Sequence, residues 1–368
     1  MKPIFIGEGL RMFKRRRKYE QEGFKPYEGN AKNICEQIVR NCYNKKENYF
    51  MTSLGHFCEY WSRDFGLCVE SLKKLGYEKE IKSTLNYALN IFQKKGKITT
   101  TINPKGKPFD FPTYAPDSLG FTLHSLVTLN DKELVEKHKS FLEKEVKRYY
   151  KKVINKKTGL VKKKHFSSMK DLAKRKSSCY DNIMSGWISK NLDLLGLNNP
   201  LKKYDFKKLI LDNFWTGTHF IDDLSGSKIL SGDANTYSFW TKLFEEEDLI
   251  SSAISKVQKK GLDKPFPIKY SIEKPKTVWY DLLSSGYEFQ SIWAMTGIPF
   301  IKVVLKVDEE LAKKYFDKYT ALIEEHKTFL EVYEKDGSIF KRYNYVSDEA
   351  MLWASMYLEL DFILNKNS

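Results

Sequence analysis

Between Tyr60 and Gly66 the chain reads Tyr-Trp-Ser-Arg-Asp-Phe-Gly, which sets an indole, a guanidinium and a carboxylate side by side. Such a trio supplies an apolar plate, a fork of donors and an acceptor, the contacts that hold a ring bearing many hydroxyls. Further carboxylates recur in short polar motifs: Asp117 in Tyr-Ala-Pro-Asp-Ser, Asp181 in Ser-Ser-Cys-Tyr-Asp-Asn and Asp233 in Ser-Gly-Asp-Ala-Asn. A last acidic stretch runs from Phe329 through Glu331 and Glu334 to Gly337, with Asp348 and Glu349 following ahead of Leu352 and Trp353. Two carboxyls on opposite sides of a glycosidic bond are what its hydrolysis needs, one protonated to donate and the other ionised to activate water. Each motif also has a plainer reading, since an Asp at a helix start is an ordinary cap or dipole partner.

The elements that position these residues read as helix after helix. Apolar side chains recur every three or four residues, and Gly, Pro, Asn or Asp bounds each segment. The spacing predicts helices over about 30–43, 58–76, 79–96, 116–129, 131–150, 178–196, 202–213, 234–244, 246–260, 285–297, 307–328 and 347–364. Gly76 and Gly196 each follow an apolar turn, the use of glycine where a helix ends and the chain doubles back. Twelve helices in six hairpins, with long aromatic and Pro-containing loops between them, describe an all-α (α/α)6 toroid. A helical solenoid is the rival, but no repeat at a fixed period is present. In the toroid the Arg63–Asp64, Asp117, Asp181 and Asp233 motifs all open even-numbered helices, and those starts ring one central cleft.

Composition narrows the classes. With 41% hydrophobic and 14% aromatic residues the chain can bury a large core and still furnish a cleft. The charge of +16 is spread over nearly every helix, and its densest runs, Lys14 to Lys18 and Lys162 to His165, lack interleaved aromatics, so no nucleic-acid partner is expected. Five cysteines without a CxxC pair argue against disulfides and structural zinc, and fit a reducing cytoplasm. The six histidines show no paired ligand spacing, and there is no Gly-rich phosphate loop, so neither metal nor cofactor is expected. No apolar run reaches the length of a membrane span.

The motifs taken in order resemble those of glycoside hydrolase family 15, the glucoamylases and related six-hairpin enzymes, from Trp61 to Trp353. Trp61, Arg63 and Asp64 match that family's Trp-any-Arg-Asp pattern, and Asp117 matches the acid opening a later helix. Leu330 to Lys335, with Gly337 and the Leu352-Trp353 pair, is similar to its catalytic-base segment. The resemblance implies Glu331 as general base and Asp181 as general acid. The family places a Glu pair at the latter position, and trehalase-like relatives place an Asp there. It also implies a terminal-sugar subsite of Trp61, Arg63, Asp64 and Asp117; Asp233, from its place at a helix start, is expected to bind substrate with them. Tyr287, Gln290 and Trp293 stand where the family carries a substrate-binding Arg.

The expectation is therefore an inverting, exo-acting glycosidase whose partner is a carbohydrate, with a basic extension over residues 1–28 and the barrel over 29–368. A carbohydrate-binding barrel without hydrolysis and a basic nucleic-acid-associated helical protein are the alternatives. Trp61, Trp215, Tyr237, Trp240, Tyr287 and Trp293 are expected to converge on one end of the barrel.

Overall fold

The computed structural model describes residues 3–278 and 286–365 of the 368. From Ala31 onward the chain alternates between two kinds of helix. One kind is amphipathic: α2 (Ala31–Cys42), α4 (Glu78–Lys95), α6 (Lys132–Val153), α8 (Phe206–Phe214), α10 (Glu247–Lys260) and α12 (Glu309–His326). In α4 the buried side chains are Ile81, Thr84, Leu85, Ala88, Leu89 and Phe92, a single stripe at helical spacing.

The other kind is buried nearly all round: α3 (Ser62–Lys74), α5 (Asp117–Leu129), α7 (Cys179–Leu194), α9 (Gly232–Trp240), α11 (Ala294–Val304) and α13 (Ala354–Leu364). Every residue of α5 from Asp117 to Leu126 is buried, as expected of a helix enclosed by others. Helix α3 packs on α5, α5 on α7, α7 on α9, α9 on α11, α11 on α13, and α13 returns to α3. The six buried helices thus close an inner ring, and the amphipathic ones clothe it, giving an (α/α)6 toroid. Close approach between neighbours falls at glycine: a Cβ at Gly66 of α3 would lie 2.5 Å from the Phe121 Cβ of α5.

All six inner helices begin at the same end. Short extended pairs build the rim there, Tyr60–Trp61 with Thr101–Ile102 and Ile292–Trp293 with Val332–Tyr333. These ladders explain where sequence periodicity misplaced a start. The helix expected at 285–297 begins only at Ala294, because Ile292 and Trp293 are spent on the ladder; position 285 lies outside the described residues. The last helix, expected from 347, begins at Ala354. Before it, the backbone serves other segments: Ser347 donates to the Phe340 carbonyl, Met351 to Phe329 and Leu352 to Thr52, while the Asp348 carbonyl accepts from Glu331.

Residues 3–22, within the expected basic extension, form one further helix, α1 (Pro3–Glu22), outside both rings. It carries no broad apolar stripe, which is why periodicity did not reveal it. Charge pins it to the rim instead: Arg11 pairs with Glu59, Arg15 with Glu349 at 2.7 Å, and Arg16 Nε donates to the Arg342 carbonyl at 3.1 Å.

Candidate active site

At the end where the inner helices start lies a cavity of about 270 Å³. Its walls are largely aromatic, with Phe57, Trp61, Phe111, Tyr287, Trp293, Tyr345 and Trp353, and Met12 of α1 closes one side. Trp61 and Trp293 hold equivalent positions: each is the extended residue just ahead of an inner helix, at φ −117° and −106°. Both indoles reach the same cavity, and the Trp293 indole nitrogen donates to the Tyr287 carbonyl at 2.9 Å.

Arg63 and Asp64 occupy the first turn of α3 and face this space. Asp117, at the start of α5, lies beneath Arg63 and accepts from its Nε at 2.8 Å, while the Tyr180 hydroxyl donates to the same carboxylate oxygen at 3.0 Å. Asp64 accepts from the Trp353 indole at 3.1 Å, and burial pushes its carboxyl up to about 6 against the pull of Arg63.

Among the described residues, four carboxyls line the cavity: Asp64, Asp171, Glu288 and Glu331. Glu331 precedes the Val332–Tyr333 strand and is met by three donors: the Tyr287 hydroxyl at 2.8 Å, the Tyr345 hydroxyl, and the Asp348 amide at 3.0 Å. Burial and the charge of Asp348 push it up to about 8, and the donors oppose the rise. Asp348 itself is fixed outside the cavity, accepting from the His56 and Phe57 amides at 3.0 Å each and from Ser53.

Asp171 sits on the long loop between α6 and α7. Its carboxyl has a buried oxygen with no hydrogen-bond partner among the described residues. Burial holds it well above the usual carboxylate range; Arg63 opposes this, and Glu288, Asp117 and Asp64 add to it. Glu288 turns to the backbone of that loop, accepting from the amides of Asp171, Leu172 at 2.6 Å and Ala173 at 3.0 Å.

Of the residues singled out from sequence, Trp61, Arg63, Asp64, Tyr287, Trp293 and Glu331 come together on the cavity wall. Asp117, Asp181, Asp233 and Gln290 do not line it. Asp181, expected as the general acid, accepts from the Ser178 hydroxyl at 2.6 Å and from Ser168, while its own amide donates to Ser178 Oγ at 3.1 Å. Ser178 thus caps α7 through the Asp181 amide, and each oxygen of the Asp181 carboxyl accepts from one serine hydroxyl. Asp233 is bound by Arg175 at 3.1 Å, Lys170 at 3.2 Å and Ser231. Gln290 donates to the Ile272 carbonyl at 3.0 Å. The aromatic convergence is also narrower than expected. Tyr237 and Trp240 lie inside α9, where Trp240 packs on Trp187 and His124, and Trp215 packs on Phe220. Sequence reasoning passed over Asp171 because it weighed acids at helix starts, and over Glu288 because Tyr287, Gln290 and Trp293 were singled out in its segment instead. The signal available was an acid in the long ordered loop 156–178.

No protein-family profile and no curated protein matches the chain. Its fold, however, is found among solved structures. A protein described as a wild-type glycosidase superposes with a TM-score of 0.65 over 98% of both chains at 12% identity. A rhamnosidase from Klebsiella oxytoca with rhamnose bound gives 0.63 at 12% identity, over 92% of this chain and 63% of that one. A family 63 mannosylglycerate hydrolase from Thermus thermophilus, in complex with Tris and D-glycerate, gives 0.62 at 9% identity, over 90% and 100%. At such identities the likeness is one of fold.

Proposed function

We propose that this chain is an inverting, exo-acting glycoside hydrolase, with Asp171 as general acid and Glu331 as general base. The observation that carries the reading is the unequal treatment of two buried carboxyls on one cavity. Glu331 is surrounded by donors, which suits a carboxylate that accepts a proton from water. Among the described residues Asp171 has no such donors and a buried, unpartnered oxygen, which suits a carboxyl that keeps its proton until a leaving-group oxygen arrives. The glycosidase names borne by proteins of this fold point the same way.

Size and charge narrow the substrate. A cavity of about 270 Å³ closed on one side by Met12 suits a terminal sugar with a small aglycone, not a long chain threaded through. Among the described residues its walls carry one cation, Arg63, which Asp117 already holds, so an uncharged glycoside fits better than an anionic one. Asp64, Arg63 and the donors around them would grip hydroxyls, with Trp61 and Trp293 against the ring faces.

The test is a screen of disaccharides and nitrophenyl glycosides, with the anomer of the first-formed sugar followed by proton NMR. Release of a single terminal sugar with inverted configuration supports the reading. Retained configuration, or cleavage inside long chains, overturns it, and binding without turnover would mark a carbohydrate-binding barrel.

A further inference from the structure

The loop that carries Asp171 is gripped from several sides, and one grip differs in kind from the rest. On either side of the acid, Lys170 and Arg175 reach Asp222 and Asp233 in the wall behind the cavity, at 2.9 Å from Lys170 to Asp222 and 3.1 Å from Arg175 to Asp233. These pairs tether the side chains that flank the tip. Glu288 instead engages the tip's backbone: three consecutive amides, of Asp171, Leu172 and Ala173, all donate to its one carboxylate. Three amides aimed at one anion form a concave nest that fixes the backbone torsions of the residue bearing the acid. Glu288 is buried, and it lines the same cavity as the side chain whose backbone it holds.

We propose that Glu288 is the positioning residue of the general acid: its carboxylate aims Asp171 by holding the loop's amides, and its negative charge beside Asp171 favours the protonated carboxyl. This rests on the reading of Asp171 as the acid. The charge step follows from two carboxyls in a low-dielectric pocket, where ionising the second beside the first is unfavourable. Burial raises Glu288 too, to about 7, but hydrogen bonds decide which of the two ionises first: amides donate only to acceptors, so three of them favour the charged form of Glu288, whereas Asp171 has none among the described residues. Among the described residues, the other groups facing Asp171 are Arg63, Asp64, Asp117 and the Tyr287 hydroxyl, and those facing Glu288 are Arg175 and the Tyr270 hydroxyl. Arg63 is shared with Asp117 and Arg175 with Asp233, so each cation draws its carboxyl down only in part.

The test needs no substrate. In full-length protein labelled with 13C at the aspartate side-chain carboxyl, the resonance lost in Asp171→Asn identifies Asp171. Its titration midpoint is expected well above that of an ordinary aspartate, and Glu288→Gln should lower it by about one pH unit or more. Glu288→Asp keeps the charge one methylene short, and the midpoint should stay within about half a unit of the parental one while the amides of Asp171–Ala173 exchange faster. A midpoint that does not move in Glu288→Gln overturns the proposal. If Glu288→Gln does not fold, a midpoint in Glu288→Asp lowered by a unit or more overturns it equally. Kinetics separate this outcome from failure of the underlying reading. If Asp171→Asn cleaves an alkyl glycoside at the parental rate, the acid lies elsewhere. If it retains activity only on a dinitrophenyl glycoside, whose leaving group needs no proton, the acid reading stands and the fate of Glu288 is decided by the titration alone.

Discussion

The indole of Trp353 donates to the carboxylate of Asp64 at 3.1 Å, joining the residue ahead of the last inner helix to the first turn of the first. One hydrogen bond thereby closes the ring of helix starts and orients an acceptor on the cavity wall. Trp353→Phe keeps most of the ring packing and removes the donor. Asp64 is buried, so the orphaned carboxylate should cost about 1–3 kcal/mol of stability and leave a sugar hydroxyl facing a displaced acceptor. Thermal unfolding and KM are both expected to worsen, with kcat changed less. An unchanged KM would place Asp64 outside the sugar's reach.

Glu331→Gln is expected to fold, to keep KM near the parental value and to lower kcat by roughly 10²–10⁴, the range for loss of a general base. The amide keeps the side chain's shape and one acceptor oxygen for Tyr287, Tyr345 or the Asp348 amide. Hydrolysis at the parental rate by the pure variant would remove Glu331 from the chemistry.

Activity and stability should run in opposite directions with pH. Glu331 is raised to about 8 and Asp64 to about 6, each above its ordinary value, so between the ordinary and the raised value the folded chain holds more protons than the unfolded one. The stability these two carboxyls contribute falls as pH rises towards 8; the buried His56 and His124, each lowered to about 4, pull the other way up to their ordinary value near 6.5, so the net fall is expected between about 6.5 and 8. Turnover requires Glu331 ionised, so its rate should climb over that same interval and fall again only where Asp171 loses its proton. A pH series of thermal midpoints beside a kcat profile checks both. Glu331→Gln should flatten the Glu331 part of the stability slope, and so should gain stability over the parental chain as pH rises to 8.

Much of the barrel was legible because its signal is local. Apolar stripes such as Ile81, Leu85, Ala88, Leu89 and Phe92 repeat every turn, and the Gly96 that follows adopts the left-handed φ of 75° that ends a helix. What was not legible depends on distant partners. The stretch from Ser347 to Trp353 has helical periodicity, yet its backbone is spent on Phe340, Glu331, Phe329 and Thr52. Helix α1 is held by Glu59 and Glu349, residues that no window around Arg11 or Arg15 contains. Within the site, Trp61, Arg63, Asp64 and Trp293 were found because α3 and α11 start at the cavity, whereas the acids that open α5, α7 and α9 lie off it. Asp171 escaped because loop geometry, and not helix register, brings it there, and Glu288 because the helix expected around it begins only at Ala294.

The two aspartates that compete for the role of acid should separate cleanly. Asp181 accepts from Ser178 and Ser168 and lies off the cavity, so Asp181→Ala leaves two buried hydroxyls without that acceptor while the backbone amide keeps its bond to the Ser178 cap. Loss of those two bonds costs about 1–3 kcal/mol, which in a chain of this length lowers the thermal midpoint by several degrees. Turnover by the fraction that remains folded should change little. Among the described residues the Asp171 carboxyl has no hydrogen bond to lose and a buried oxygen without a partner, so Asp171→Asn should leave the thermal midpoint equal to or above the parental one. Its kcat on a glycoside with a poor leaving group should fall by roughly 10²–10⁴, because an amide cannot deliver the proton. The pair is read by calorimetry and kcat on the same preparations. If Asp181→Ala loses turnover at full stability while Asp171→Asn keeps it, the acid belongs to the start of α7 and the loop serves only to wall the cavity.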